Sequence, residues 1–174
     1  MVIVEGFKQA LRVLEVEFEN SLEEVLVLKD VQRLNLPTGA IENLKAGSSL
    51  RVYRWVAEKL FEKEVAKPAE DLLDMKTILQ LRWKEKSEPA ELQPLPSYFY
   101  LRVRGGVSRE NSELLPHLKD IFSLRLAKMM SFAAKRIPAS MVENLTAEEK
   151  VFYEHLLDIV NAWYGFIEVR KDER

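Results

Sequence analysis

Leu14, Val16 and Phe18 alternate with Glu15, Glu17 and Glu19, the two-residue period of a half-buried strand with an acidic, solvated side. After the turn-prone Asn20–Ser21 pair, Val25 to Leu28 predict a second strand and hairpin partner. Ser21 with Glu24 also fits a helix capping box, but β-branched residues and short length favour strand. Asn35-Leu-Pro-Thr-Gly39 is punctuation. From Ser48 the period changes: Val52, Trp55, Val56 and Leu60 lie three or four apart, one apolar helical stripe. The run Glu62-Lys-Glu-Val-Ala-Lys-Pro68 then breaks the pattern and predicts a domain boundary.

Beyond Pro68 the chain reads as helix. Leu72, Leu73, Met75, Ile78, Leu79 and Trp83 mark one element, ended by Lys86-Ser-Glu-Pro89. Pro89, Pro94 and Pro96 predict an extended linker. Ser97 to Arg104 is a short helix or a strand, closed by Gly105–Gly106. Leu114, Leu118, Ile121, Phe122, Arg125, Met129, Phe132 and Ala133 form the clearest stripe, stopped by Pro138. Thr146 with Glu149 is a capping box opening the last helix, whose stripe is Phe152, Leu156, Ile159, Val160 and Trp163. The expected fold is therefore α+β, mainly α: a small β-rich domain over 1–68, then a helical bundle over 69–174.

Composition narrows the function. At 174 residues, 47% hydrophobic and 31% charged, the chain is an ordinary globule large enough for one core and a small companion. A net charge of −2 supplies no global basic field for nucleic acid. The absence of cysteine excludes disulfides, thiolate metal sites and cysteine nucleophiles. The first residues carry no signal-peptide pattern, and no apolar run approaches the roughly 20 residues of a membrane span, so a cytoplasmic location is expected.

Catalytic chemistry finds no constellation. His117 and His155 fall on different predicted helices, and neither has a second histidine at metal-sharing spacing. No phosphate-cradling glycine loop or nucleophile elbow occurs. Carboxylates are plentiful but do not converge in sequence. The chain is read as a non-enzyme, with no cofactor and no metal.

Two features stand out. Arg125 lies on the apolar stripe of the longest helix, where a lone guanidinium is costly; it must meet a carboxylate or a row of carbonyls, in this chain or on another subunit. Charge is also segregated: cations from Arg102 to Arg136, including Lys128, face an acidic last helix region. That describes either two complementary helices or a basic surface steering DNA or an acidic partner. Tyr98, Phe99 and Tyr100 in a row cannot all face one core. Leu126, Met130 and Tyr153 fall off the main stripes. Tyr98, Phe99, Tyr100, Arg125, Leu126, Met130 and Tyr153 are accordingly the candidate residues of a subunit interface. A small DNA-binding module using the basic helical face is the alternative.

Leu95-Pro-Ser-Tyr-Phe-Tyr-Leu101 resembles the Pro-Ser-x-Tyr-Tyr segment that opens a helix in the second subunit of the eukaryotic GINS complex. Arg125-Leu-Ala-Lys-Met129 resembles its Arg-Ile-Ala-Lys-Leu run, Glu143-Asn-Leu-Thr146 its Asp-Asn-Leu-Thr, and Leu50 to Leu60 its Pro-Leu-Trp-Leu-Ala helix. The matches are collinear from Leu50 to the last helix, whereas Met1 to Leu44 agrees only in general character. The resemblance implies an archaeal GINS subunit with its β domain first (a B-type domain before an A-type helical domain). It also implies a hetero-tetramer with a sister subunit of opposite order. The expected role is to bridge the MCM helicase and a Cdc-type, RecJ-like protein at the replication fork, close to the nucleoid, with DNA contact indirect.

Overall fold

The computed structural model describes residues 2–36, 39–70, 73–106 and 112–168. Its contacts divide the chain into two compact units, Glu15–Asp71 and the residues on either side of it.

The first element corrects a prediction. Val2–Glu19 is a helix, α1, rather than a strand. Leu14 and Phe18 are buried while Val16, midway between them, is 63% exposed, so the four-residue period prevails over the two-residue one. Phe7, Leu11, Leu14 and Phe18 are spaced by four, three and four, and the intervening Lys, Gln, Arg and Glu are good helix formers. The helix ends where the Asn20 amide reaches Val16 O and the Ser21 hydroxyl reaches Phe18 O.

The 15–71 unit is built on β1 (Leu22–Val27), which lies antiparallel between β4 (Ser49–Tyr53) and β5 (Ala66–Pro68). The strand expected over Val25 to Leu28 thus exists, with partners that come later in the chain. β2 (Val31–Leu36) and β3 (Gly39–Leu44) form a separate hairpin, and Pro37–Thr38 of the predicted turn lie outside the described residues. The helix expected from Ser48 starts later: Val52 sits on β4, opposite Glu23, and α2 runs Arg54–Glu62. Val52 and Val56 are both buried, so one apolar set continues through a change from strand to helix and imitates a single stripe. With Val25, Ala57, Leu60 and Ala66 they make the core of this unit. Glu64 holds φ at +53°, and the Glu64 and Val65 amides return to Phe61 O and Leu60 O, closing α2 with a Schellman motif.

The second unit is a bundle of α3 (Met75–Ser87), α4 (Phe99–Gly106), α5 (Leu115–Ala134) and α6 (Ala147–Glu168). The Asp74 side chain accepts from the Thr77 amide and starts α3. The segment after Ser97, left open between helix and strand, is helical. α5 stops before Pro138, as predicted. One core cluster joins Ile78, Phe99, Val103, Leu114, Leu118 and Ile121; a second joins Leu92, Met129, Ala133 and Tyr153. Phe7 of α1 meets Phe152 and His155 edge-on. The fold is α+β and mainly helical, with the sheet earlier in the chain than the bundle.

Candidate functional site

The centre of the bundle is polar. Arg125, fully buried on α5, uses all five of its N–H donors. Nε and Nη2 each reach one oxygen of Glu149 at 2.6 Å. Nη1 donates to Glu85 Oε2 and to Gln93 O at 2.7 Å, and Nη2 to Asn144 O at 2.8 Å. Carboxylate and carbonyls, all within the chain, answer the question posed by a guanidinium on an apolar stripe. Lys128, one turn on, is equally complete: its Nζ donates to Glu85 O, Glu85 Oε1 and Glu91 O.

Glu149 owes its position to the predicted capping box. The Thr146 amide donates to Glu149 Oε2 at 3.0 Å, and the Glu149 amide to Thr146 Oγ1 at 3.2 Å. One carboxylate thus starts α6 and binds α5; through Oε1 it also accepts the Tyr100 hydroxyl from α4. Its neighbour Glu148, also buried, accepts the Leu101 amide in the first turn of α4, leaving Oε2 without a hydrogen-bond partner.

The electrostatics follow from this packing. Burial opposes the charge of Arg125, but Glu149, and then Glu85, outweigh that penalty and hold its pKa above the ordinary arginine value. Burial, then the adjacent Glu149 carboxylate, pushes the Tyr100 hydroxyl well above the usual tyrosine range. Each of the two cations spends its donors on fixed chain acceptors, so neither is available to polarise a substrate. Such a network specifies how four helices meet.

The interface candidates divide. Phe99, Arg125 and Tyr153 are fully buried within their own chain, Tyr153 donating to Ile137 O at 2.7 Å. Tyr100 is half-buried on Glu149. Tyr98 is half-buried with φ at +54°, just ahead of α4. Leu126 and Met130, one turn apart on α5, are 42% and 53% exposed. On α6, Ile159 and Trp163 of the predicted core stripe are both exposed, and Phe166 stacks on Trp163. Among the basic residues from Arg102 to Arg136, Arg125 and Lys128 are withdrawn from the surface, and Arg109 lies outside the described residues.

Sequence reasoning missed Glu85 and Lys128. Both stand in stretches that read as solvated charge. The available signal was Lys128 three positions after Arg125, hence on the same helical face. His117 approaches Arg82, and the Nδ1 of His155 lies 2.8 Å from Val151 O. Among the described residues, no group of three acidic or histidine side chains is placed to hold a metal, and no helix is long and apolar enough to cross a membrane.

Residues 61–167 match the family model of Sld5, the GINS complex protein helical bundle domain. No curated protein matches the chain. The matched span covers most of the chain and contains every residue of the Glu85–Arg125–Lys128–Glu149 network. Proteins of this family are non-catalytic scaffold subunits of a DNA-replication complex. A helical bundle centred on a saturated ionic network, preceded by a small sheet and matching that model over most of its length, belongs to the GINS family.

Proposed function

We propose that this chain is the GINS subunit type with its β domain first, taking 1–68 as the B-type domain and 69–174 as the A-type domain. In this reading it is an archaeal subunit that joins a sister of opposite domain order in a hetero-tetramer. The tetramer bridges the MCM helicase and a Cdc-type, RecJ-like partner at the replication fork. Its contribution is positional: once two partners are held on one scaffold, each meets the other at the high effective concentration of a tethered pair.

The observation that carries the assembly reading is the apolar surface left outside the bundle. Leu126 and Met130 on α5, with Ile159, Trp163 and Phe166 on α6, lie largely open to solvent. Large apolar side chains left exposed on two helices of one bundle are characteristic of a surface awaiting a partner. Leu126 and Met130 would make the contact, while Phe99, Arg125 and Tyr153 set the helix positions from behind. The sheet preceding the bundle and the collinear family segments support the domain order. Withdrawal of Arg125 and Lys128 from the surface weakens the alternative of a DNA-binding module and favours indirect DNA contact.

Co-expression with a candidate sister subunit, followed by native mass measurement, tests the reading. A stable complex containing both chains is expected, and Met130→Asp should dissociate it while the chain remains folded. A monodisperse monomer indifferent to the sister would overturn the proposal.

A further inference from the structure

Exposed apolar side chains also stand on α3. One side of this helix buries Ile78 and Glu85. On another side Met75, half-buried against the first core cluster, is followed at every fourth residue by the exposed Leu79 and Trp83, a ridge about 12 Å long at 1.5 Å per residue. Leu79 is 40% exposed and Trp83 is 69% exposed. These three, with Lys76 and Gln80, line one shallow groove that begins at Asp74.

The charge of this helix is one-sided. Between Met75 and Ser87 stand Lys76, Arg82, Lys84 and Lys86, and the one acid, Glu85, is buried on Arg125 and Lys128. Arg82 is engaged with Asp120 at 2.8 Å. Lys76 and Lys86 lie three residues from Leu79 and Trp83 respectively, so they flank the apolar ridge. All three lysines are exposed.

We propose that the Met75–Leu79–Trp83 ridge docks an acidic amphipathic segment of another protein, with its apolar side chains on the ridge and its carboxylates on Lys76 and Lys86. A second copy of this chain fits poorly. A twofold contact would set the same lysines against each other, which like charges oppose. Single-stranded nucleic acid fits less well: Lys76 and Lys86 would meet its phosphates, but only Trp83 offers a stacking surface and Leu79 would stay uncovered. The match is an apolar spine with an acidic rim.

The probe is a fluorescein-labelled peptide of about 16 residues, four helical turns, with leucines at three- and four-residue spacing and glutamates between them. Anisotropy titrations use the full chain. The proposal expects binding that weakens as salt rises, and a loss of about tenfold or more in Trp83→Ala and in the Lys76→Glu/Lys86→Glu pair. These surface changes leave the bundle core untouched, which circular dichroism verifies. No binding, equal binding of a peptide with lysine in place of glutamate, or indifference to Trp83→Ala would overturn it. So would tighter binding of oligothymidylate lost in the same variants. Loss of the sister-subunit complex in Trp83→Ala, without peptide binding, would assign the ridge to subunit assembly and also overturn it. Failure of Met130→Asp to affect assembly leaves this titration unaltered, so the two readings fail separately.

Discussion

Arg125 grips Glu149 in parallel: Nε holds one carboxylate oxygen and Nη2 the other, each at 2.6 Å. The paired geometry joins α5 to the first turn of α6 and is available to arginine but not to lysine. Arg125→Met keeps much of the side-chain volume but strands Glu149 without its cation and leaves Glu85 with Lys128 alone. Removing one partner of such a buried pair costs about 3–5 kcal/mol. Urea unfolding should show a loss of that size, with Arg125→Lys recovering only part of it.

Tyr100 makes stability depend on pH at the alkaline end. Its hydroxyl is held above the ordinary value of 10.0, first by burial and then by Glu149. The unfolded chain therefore releases this proton near pH 10 while the folded chain retains it. The stabilisation is complete below pH 10 and declines as pH rises beyond it. Thermal melts from pH 8 to pH 11 should show a steeper fall for the parent than for Tyr100→Phe, which removes the ionising group.

Met130 and Phe99 should separate assembly from folding. Met130→Asp changes a side chain that is 53% exposed, so the unfolding free energy should move within about 0.5 kcal/mol. Phe99→Ala empties a fully buried position in the core cluster that includes Ile78 and Ile121, and should cost about 3–5 kcal/mol. Denaturant unfolding of the isolated chain, alongside size measurements with a sister subunit, distinguishes the two effects. Equal loss of both properties in Met130→Asp would make Met130 a core residue.

Glu64 occupies the left-handed position that ends α2, where a side chain is disfavoured. Its ion pair with Lys29 is 3.7 Å long and exposed, and contributes little. Glu64→Gly relieves the backbone at that point. The expected gain is about 0.5–1 kcal/mol, smaller than the full relief because glycine loses more freedom on folding. A rise in melting temperature checks it.

Long-period features were legible in the sequence. α5 and α6 followed from three-and-four spacing, and the Thr146–Glu149 box from two residue types at one interval. Arg125 was conspicuous because it broke an apolar stripe. Its partners were not, since Glu85 and Glu149 come from 40 and 24 positions away and only the folded bundle brings them together. Glu85 sits in Lys-Glu-Lys, a triplet indistinguishable from a solvated surface. The N-terminal error has a local cause: Leu14 and Phe18, four apart, satisfy both periods at once, and Val16 between them completes the shorter one. Only the burial of the first and last, with Val16 left open, separates them. The strand-to-helix change at Tyr53–Arg54 was hidden because Val52 and Val56 belong to the same core on both sides of it.

The connector from Glu88 to Ser97, rich in proline and without regular structure, has the composition of a segment that proteases cut readily. Its carbonyls are nevertheless tied down: Glu91 O by Lys128, Leu92 O by Asn144 and Gln93 O by Arg125, while the Gln93 amide is held by Glu85. A backbone secured at three successive residues cannot extend into a protease cleft without first opening the helices behind it. Cleavage there should consequently proceed no faster than opening of the bundle itself, making elastase resistance at Ala90–Glu91 a gauge of its integrity.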